Sequence, residues 1–274
     1  MSTVNEEAVE KAVEKLVGAD RVIAVLTELA DHPLGVTLDE LAGILNSSKP
    51  TVHRALATLR RAGLADLAAR GLYVLGDEYL RLAFRNLDGR PETARIQPLL
   101  EALAMHHGET AHYAVLAGTD IVYRAKMDPP QGAVRLTSVI GGRNPASRTA
   151  VGKALLAARL TTLEQVATWF GDFPLEQKTP HTITTPEALL AELVATRERG
   201  YGLDDQENEI GINCIAIPIH LDGAALPTGA ISVSAVRFRC SLDQLVDAVP
   251  AIRAMITEHL GSAALPPRAA PERR

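Results

Sequence analysis

The chain has few cysteines, few aromatic residues and no long apolar run. Only 2 of its 274 residues are cysteine, at Cys214 and Cys240, and aromatic residues make up 4%. Two cysteines without a metal-ligand spacing do not form a disulfide framework and fit a reducing compartment. No stretch reaches the roughly 18 apolar residues of a membrane helix, and the charged start of the chain does not resemble a signal peptide. We therefore expect a cytoplasmic protein with no membrane segment.

The composition favours an ordinary globular protein of two domains. Hydrophobic residues make up 47% of the chain and charged residues 22%, and this length has room for one small and one medium domain. The pattern predicts an N-terminal helical extension over residues 1–18, a first domain over 19–76, a linker helix over 77–92, a second domain over 93–262 and a Pro-rich, disordered tail over 263–274.

The segment from Thr37 to Gly76 carries the most informative pattern. A leading helix is predicted over Asp20–Asp31, where apolar residues recur at helical spacing. Thr37 is a good N-cap for the next helix, and Glu40 completes a capping box. A polar turn leads into a third helix, and Gly63 ends it. Two short amphipathic helices around a tight turn are typical of a helix-turn-helix unit.

The third helix has one apolar and one polar face. Its apolar residues, three and four positions apart, are Val52, Ala55, Leu56 and Leu59. The polar residues are left outward near the helix start, where a recognition helix reaches base edges. Arg54 suits a guanine because its fork matches two acceptors, whereas Lys49 suits a phosphate. The residues predicted to contact DNA are Ser48, Lys49, Thr51, His53, Arg54, Thr58 and Arg70.

A predicted hairpin and the local charge support this interpretation. Leu64–Leu67 and Leu72–Leu75 read as two strands, with Arg70 at the tip. Residues 46–70 contain five basic side chains and one acidic one, although the whole chain has 28 basic and 33 acidic residues. A basic surface on an acidic protein is the electrostatic footprint of nucleic-acid binding. The alternative, a three-helix unit that binds protein, does not require outward basic residues.

The linker over 77–92 is predicted to contain a short amphipathic helix with a broad apolar stripe. A helix of this length is not stable alone in water. The stripe therefore needs a partner, which is either the first domain or the same helix of another subunit.

The second domain mixes hairpins with blocks of helix, which favours an α+β fold: an antiparallel sheet with flanking helices. A break is expected near Pro250, because proline cannot continue a helix. The predicted strands are Tyr113–Leu116, Ile121–Arg124, Val134–Ile140, Cys214–His220 and Ala230–Val236. One predicted helix covers 93–106. A second begins near Thr149, a third ends at Gly200 and a fourth begins at Ser241.

Three segments resemble the IclR family of bacterial transcription regulators. They are GGRNPASRTAVGKALLA at 141–157, GLDDQENEIGINCIAIPI at 202–219 and GAISVSA at 229–235. The N-terminal TVHRALATLRRAGL is also similar to the recognition helix of the family. Together these matches span about residues 19–262 in family order. Three positions depart from the family pattern: Pro50, Ser147 and Ala235.

The resemblance implies a winged helix-turn-helix followed by a GAF-like effector-binding domain with a small-molecule pocket. It also implies homodimers, or dimers of dimers, on a double-stranded DNA operator that is palindromic. Carried over by position, the effector-binding residues are Ala133, Leu136, Asn144, Ala150, Val151, Asp204, Ile212, Cys214, Ser232 and Ser234.

The chemistry of these positions fits an organic acid or an aromatic effector. Ser232 and Ser234 are two apart on a strand and face one side, and the first amides of the helix near Ala150 can hold a carboxylate. Other readings stay open. The serines could be satisfied core hydroxyls, Asp204 could cap its own loop, and Cys214 could be a small buried hydrophobe.

Two other classes of function compete with a ligand-responsive regulator. A metal-dependent hydrolase could use His106, His107 and His112 near Glu109, together with Glu207 and Glu209 of the acidic run. However, the spacing of His107 and His112 is not that of ligands on one helix. No nucleophile elbow, phosphate loop or dinucleotide motif is present, so no cofactor is predicted and the chain is not expected to be an enzyme. A DNA-binding protein without a ligand is the third class.

Overall fold

A computed structural model describes residues 18–89, 91–129, 136–171 and 175–265. Contacts divide the chain after Gly89 into two compact units. Residues 1–17 and 266–274, which include most of the predicted extension and tail, lie outside the described residues, as does Ala133. No helix in the described ranges combines the length and apolarity that crossing a bilayer requires.

The described residues of the first unit, 18–89, form four α-helices and a small antiparallel sheet. Its elements are α1 (Gly18–Asp31), β1 (Val36–Thr37), α2 (Leu38–Ile44), α3 (Lys49–Arg61), β2 (Ala65–Leu67), β3 (Leu72–Leu75) and α4 (Asp77–Asp88). The sheet order is β1-β3-β2. The three predicted helices and the hairpin are therefore confirmed. Strand β1 was not predicted, because two residues are too few for a periodic pattern.

Local chemistry explains where α2 and α3 begin and end. The predicted capping box is present: the Thr37 hydroxyl accepts from the Glu40 amide, and the Thr37 amide donates to the Glu40 carboxylate at 2.8 Å. Gly63, at φ +71°, ends the α3 turn as expected. Val25, Leu41 and Val52 are fully buried and join α1, α2 and α3 in one core.

The second unit is a six-stranded antiparallel sheet with helices on both faces. Its strands are β4 (Thr110–Ala117), β5 (Asp120–Met127), β6 (Arg143–Pro145), β7 (Gly202–Asp205), β8 (Ile212–Ile219) and β9 (Gly229–Val236). Its helices are α5 (Pro91–His107), α6 (Ala150–Leu156), α7 (Leu163–Phe170), α8 (Pro186–Arg199), α9 (Leu242–Asp247) and α10 (Val249–Leu260). The sheet order is β6-β5-β4-β9-β8-β7. The predicted α+β class is confirmed.

The sheet separates two apolar cores. Helices α5, α9 and α10 cover one face, where Leu99, Leu103 and Ile252 are fully buried. Helix α6 lies on the other face. Its Leu155 packs with Leu193 of α8 in the second core. Both faces are therefore closed over much of the sheet, and a ligand needs a gap in one of these helical layers.

The predicted strand over Val134–Ile140 is wrong in its described part. Residues 136–140 form no strand. The Lys126 ammonium instead donates to the backbone oxygens of Leu136 at 2.8 Å and Ser138 at 2.7 Å. A side chain thus satisfies carbonyl groups that would otherwise need a neighbouring strand.

The other predicted helix boundaries differ little from the structure. Helix α5 starts at Pro91, two residues before the predicted start, because proline is tolerated in a first turn. The expected break near Pro250 is confirmed, since α9 ends at Asp247 and α10 begins at Val249. Helix α7 and strands β6 and β7 were not predicted.

We expect Gly152→Ala to destabilise the second unit by about 1–3 kcal/mol through overpacking. A Cβ at Gly152 would lie 2.1 Å from the backbone oxygen of Ala146. The measurement is denaturant unfolding followed by the fluorescence of Trp169, the one tryptophan of the chain. Gly43→Ala is the control, because its Cβ meets nothing within 4 Å and alanine favours a helix. Equal stability of the Gly152 variant and the native protein would contradict the packing argument.

Candidate functional site

Helix α3 presents a polar surface to solvent, and most of the predicted DNA-contacting residues lie on it. His53, Arg54 and Thr58 are exposed. Arg54 Nη2 donates to the Thr51 hydroxyl at 3.3 Å, and the Thr58 hydroxyl donates to the Arg54 backbone oxygen. These contacts stay within the helix and leave the guanidinium at the surface.

Three further predicted residues flank this surface. Ser48 occupies the N-cap position of α3, but its hydroxyl pairs with the Thr51 hydroxyl at 2.8 Å and caps no amide. Lys49 Nζ lies 2.8 Å from Asp39 Oδ2, and both side chains are mostly exposed. Exposed ion pairs of this kind contribute little, so the ammonium can exchange Asp39 for a phosphate. Arg70 is exposed at the hairpin tip, where its φ is +66°.

The second unit encloses a cavity of about 260 Å³ on the α6 face of the sheet. The structure brings nearly all of the predicted effector-binding residues to this cavity. Those that line it are Leu136, Asn144, Ala150, Val151, Asp204, Ile212, Cys214, Ser232 and Ser234.

The strand register explains why residues from distant motifs meet here. Asp204 pairs with Cys214 across β7 and β8, and Cys214 pairs with Ser234 across β8 and β9. Ser232, two residues earlier on β9, pairs with His112 on β4. Residues that are directly opposite on neighbouring strands project to the same face. Two adjacent rows of polar side chains therefore form the floor of the cavity.

His112 is the most buried polar ring of the cavity. Its Nε2 lies 2.8 Å from the Ser138 hydroxyl, and its Nδ1 lies 3.4 Å from the Ser232 hydroxyl. Its ring centroid is 4.8 Å from that of Tyr123. Burial, with a further contribution from the Lys126 charge, lowers the His112 pKa to about 3. The ring is therefore neutral near pH 7 and has one donor and one acceptor nitrogen.

Several polar lining residues were missed from the sequence: His112, Tyr123, Ser138, Arg143, Lys178 and Glu209. His112 and Ser232 become neighbours only through the β4–β9 register. A register shift between Tyr113 and Ala114 then sets which β5 residue stands beside His112. No local pattern in the chain signals either the register or the bulge.

The histidine cluster considered as a metal site does not form. His112 faces the cavity, whereas Glu109 lies 3.3 Å from Arg239. Across the described ranges, no group of three or more His, Cys, Asp or Glu side chains is placed to hold a metal ion. These residues are close in the sequence but separate in the fold, because α5 ends at His107 and β4 begins at Thr110.

Asp204 caps the acidic loop that forms one wall of the cavity. Its Oδ1 accepts from the amides of Glu207 at 2.8 Å and Asn208 at 3.4 Å. Burial raises the Asp204 pKa to about 7, although Lys153 opposes the shift. The neighbouring thiol of Cys214 also has a raised pKa because it is buried. Near neutral pH the thiol is uncharged and Asp204 is only partly ionised.

A buried ion pair attaches this acidic loop to α6. Lys153 is 1% exposed, and its ammonium pairs with Glu207 and lies 3.5 Å from Glu192 on α8. The hydroxyls of Thr179 and Thr182 donate to the backbone oxygens of Gln206 and Glu207, each at 2.7 Å. A buried charge is tolerated only when it is paired. The loop, and Asp204 with it, is therefore held by a network that has no contact with the cavity.

Comparison with known proteins settles the family. The model of the IclR helix-turn-helix domain matches residues 18–67, and that of the bacterial transcriptional regulator IclR C-terminal domain matches residues 86–258. The chain belongs to the IclR family. It is a DNA-binding transcriptional regulator with an effector-binding domain, as the sequence predicted.

Similar proteins support this assignment along most of the chain. The regulator BhcR of Paracoccus denitrificans is 35% identical over 84% of this chain and 82% of its own length. A transcriptional regulator from Rhodococcus sp. RHA1 has a TM-score of 0.72 at 29% identity, covering 89% of this chain and 96% of that one. The inducer-binding domain of a PobR double mutant from Acinetobacter was solved with 3-hydroxybenzoic acid. Its TM-score is 0.55 at 29% identity, covering 61% of this chain and 95% of that one.

We expect Arg54→Ala to weaken binding to a selected operator by about 1–3 kcal/mol and to relax its specificity. The operator is first selected from random duplexes, and binding is measured by fluorescence anisotropy against a scrambled duplex. Arg60→Ala removes the same charge nearer the end of α3 and should weaken binding to both duplexes alike. If the two variants lose the same specificity, Arg54 does not read a base.

We expect Asp204→Asn to flatten the pH dependence of stability. The folded pKa of about 7 lies above the ordinary aspartate value of 3.8, so the folded state retains a proton that the unfolded state releases. The free energy of unfolding therefore falls as pH rises from about 4 to about 7. Asparagine does not titrate, and its oxygen can still accept from the loop amides. The expected effect on the pH dependence is on the order of 4 kcal/mol.

The measurement for this prediction is denaturant unfolding at several pH values across that interval. Asp243→Asn is the matched control, since Asp243 is exposed at the start of α9. Identical pH profiles for the Asp204 and Asp243 variants would contradict the prediction.

Proposed function

We propose that this regulator binds a small organic acid in the α6-face cavity and that binding changes its affinity for an operator. The observation that carries the proposal is the convergence of polar side chains from strands β4, β5, β6, β7 and β9 and from three loops on one cavity. Enclosed sites with a few convergent polar groups among apolar walls are typical of small-molecule binding. The predicted effector-binding residues that line the cavity are proposed as its ligand contacts.

The composition of the cavity favours a compact acid. Its volume, about 260 Å³, is at the low end of the range for ligand pockets, which suits one ring or a short chain. Leu136, Val151 and Ile212 supply apolar walls, and Ser232 and Ser234 supply hydroxyls. The similar PobR domain solved with 3-hydroxybenzoic acid supports a hydroxylated aromatic acid as one candidate.

The charges around the cavity also favour an anion. Arg143 and Lys178 lie on its wall, opposed by Glu209 and Asp204. Because burial raises the Asp204 pKa to about 7, this carboxyl carries only part of its charge near neutral pH. Among the lining groups alone the balance is therefore slightly positive, and a carboxylate can pair with Lys178 or with Arg143, which lies 3.7 Å from Asp120.

We further propose that the protein binds a palindromic operator as a homodimer or a dimer of dimers in the bacterial cytoplasm. Two α3 helices would then enter successive major grooves about 34–36 Å apart. On α4, Leu80 and Phe84 are 50% and 62% exposed, which supports a second copy as the partner of this apolar stripe. The effector would favour one geometry of its domain, and α4 would transmit the change as an altered spacing of the α3 helices.

The test is thermal melting with a panel of aliphatic and aromatic carboxylates, followed by operator binding with each acid that raises the melting temperature. A ligand that binds only the folded state must raise it. An acid that raises the melting temperature and changes operator affinity supports the proposal. If no acid has either effect while operator binding persists, the protein is a DNA-binding protein without an effector.

We expect Val151→Trp to abolish the response to these acids without loss of operator binding, because the indole would fill the cavity. Val194→Trp makes the same change on α8, outside the cavity lining, and should keep the response. The measurements are melting shifts and operator anisotropy with and without the acid. A retained response in the Val151 variant would show that the acid binds elsewhere.

A further inference from the structure

His112 connects two walls of the cavity through both of its ring nitrogens. Nε2 faces the hydroxyl of Ser138 in the segment before β6, and Nδ1 faces the hydroxyl of Ser232 in the sheet. Both serines and the ring line the cavity. The imidazole is 2% exposed, so within the described part of the chain these hydroxyls are its hydrogen-bonding partners. The three groups form one hydrogen-bonded chain.

A neutral imidazole makes the two ends of this chain interdependent. When Nε2 carries the proton, it donates to Ser138, and bare Nδ1 accepts from Ser232, whose hydroxyl then offers the cavity only lone pairs. When Nδ1 carries the proton, it donates to Ser232, whose hydroxyl proton is free to point into the cavity, and Ser138 donates to Nε2. Each tautomer therefore presents the opposite polarity at Ser232. Moving between them changes no net charge, because water that reaches the cavity takes up the proton that leaves Nε2 and supplies the proton that reaches Nδ1.

Resting on the proposed function, we propose that His112 sets the specificity of the cavity by coupling the polarity of Ser232 to Ser138. An effector oxyanion at Ser232 accepts from its hydroxyl and so selects the Nδ1–H tautomer. This tautomer turns Ser138 from an acceptor into a donor toward the ring. An effector that presents only donors at the same place selects the other tautomer.

Three features of the structure support this coupling. The His112 pKa of about 3 keeps the ring neutral, so that it always has one bare nitrogen. The charged groups that contribute to this pKa are Lys126, which lowers it, and Asp128, which raises it. Lys126 also holds the backbone oxygens of Leu136 and Ser138, which keeps the Ser138 hydroxyl in reach of the ring. Tyr123 packs against the imidazole and restricts its rotation.

The direct test is nitrogen NMR of the histidine rings in the full-length protein, titrated with acetate and with acetamidinium. These probes have the same shape, but acetate only accepts hydrogen bonds and acetamidinium only donates them. His112→Asn identifies the His112 signals by their loss. Acetate is expected to move Nδ1 toward the protonated form, and acetamidinium is not. A ring that keeps its tautomer at saturating acetate, or that responds alike to both ions, would overturn the proposal.

A second measurement tests whether Ser138 belongs to the chain. Ser138→Ala leaves Nε2 without its partner in both tautomers, so the tautomer balance of the free ring should change, and the acetate affinity should change with it, about 5-fold or more. Thr137→Ala is the matched control, because this neighbour also lines the cavity and makes no hydrogen bond to the ring. Equal acetate affinities of the Ser138 variant and the native protein would overturn the coupling.

The two proposals fail in different ways. If carboxylates raise the melting temperature and alter operator binding while the His112 tautomer stays fixed, the effector function stands and the coupling through His112 falls. If no carboxylate has any effect on melting, operator binding or the ring, both fall together.

Discussion

The register between the central strands determines the chemistry of the effector domain. Strand β9 lies between β4 and β8, and this pairing places Ser232 opposite His112 and Ser234 opposite Cys214. A shift of one residue would send every side chain of β9 to the other face. Ser232 and Ser234 would then enter the apolar core beneath α5 and α10. Because that core is filled by large residues such as Leu103 and Ile252, packing on one face fixes the polar floor on the other.

The acidic loop depends on the same helix that closes the cavity. Lys153 pairs with Glu207 from one side of α6, while Ala150 and Val151 at the start of this helix line the cavity. Gly152, which lies between Val151 and Lys153, lets α6 approach the backbone of Ala146. One short helix thus packs against the core, neutralises the buried carboxylate of the loop and shapes the proposed binding space. The TAVGKALLA segment performs all three roles within nine residues.

Elements with their own local chemistry were predictable from the sequence. The capping box at Thr37, the helix end at Gly63 and the break before Pro250 depend on neighbours within four residues. Family resemblance located nine of the twenty residues that line the cavity, because its motifs include Asp204, Cys214 and Ser232. It did not supply His112, whose role arises from a strand pairing 120 residues apart in the chain. The sequence also predicted a strand wrongly over residues 136–140. There the Lys126 side chain, and not a neighbouring strand, bonds the backbone oxygens.

The tether between Lys126 and the segment 136–142 has a consequence for how such a domain can diversify. The ammonium binds main-chain oxygens of Leu136 and Ser138, so it recognises the path of the backbone rather than the identity of the side chains. Substitutions at Leu136 or Ser138 can therefore change the side chains that this segment presents to a bound molecule, while the path of its backbone is kept. Related proteins could acquire new effectors through substitutions in this segment alone, without changes in the sheet that supports it.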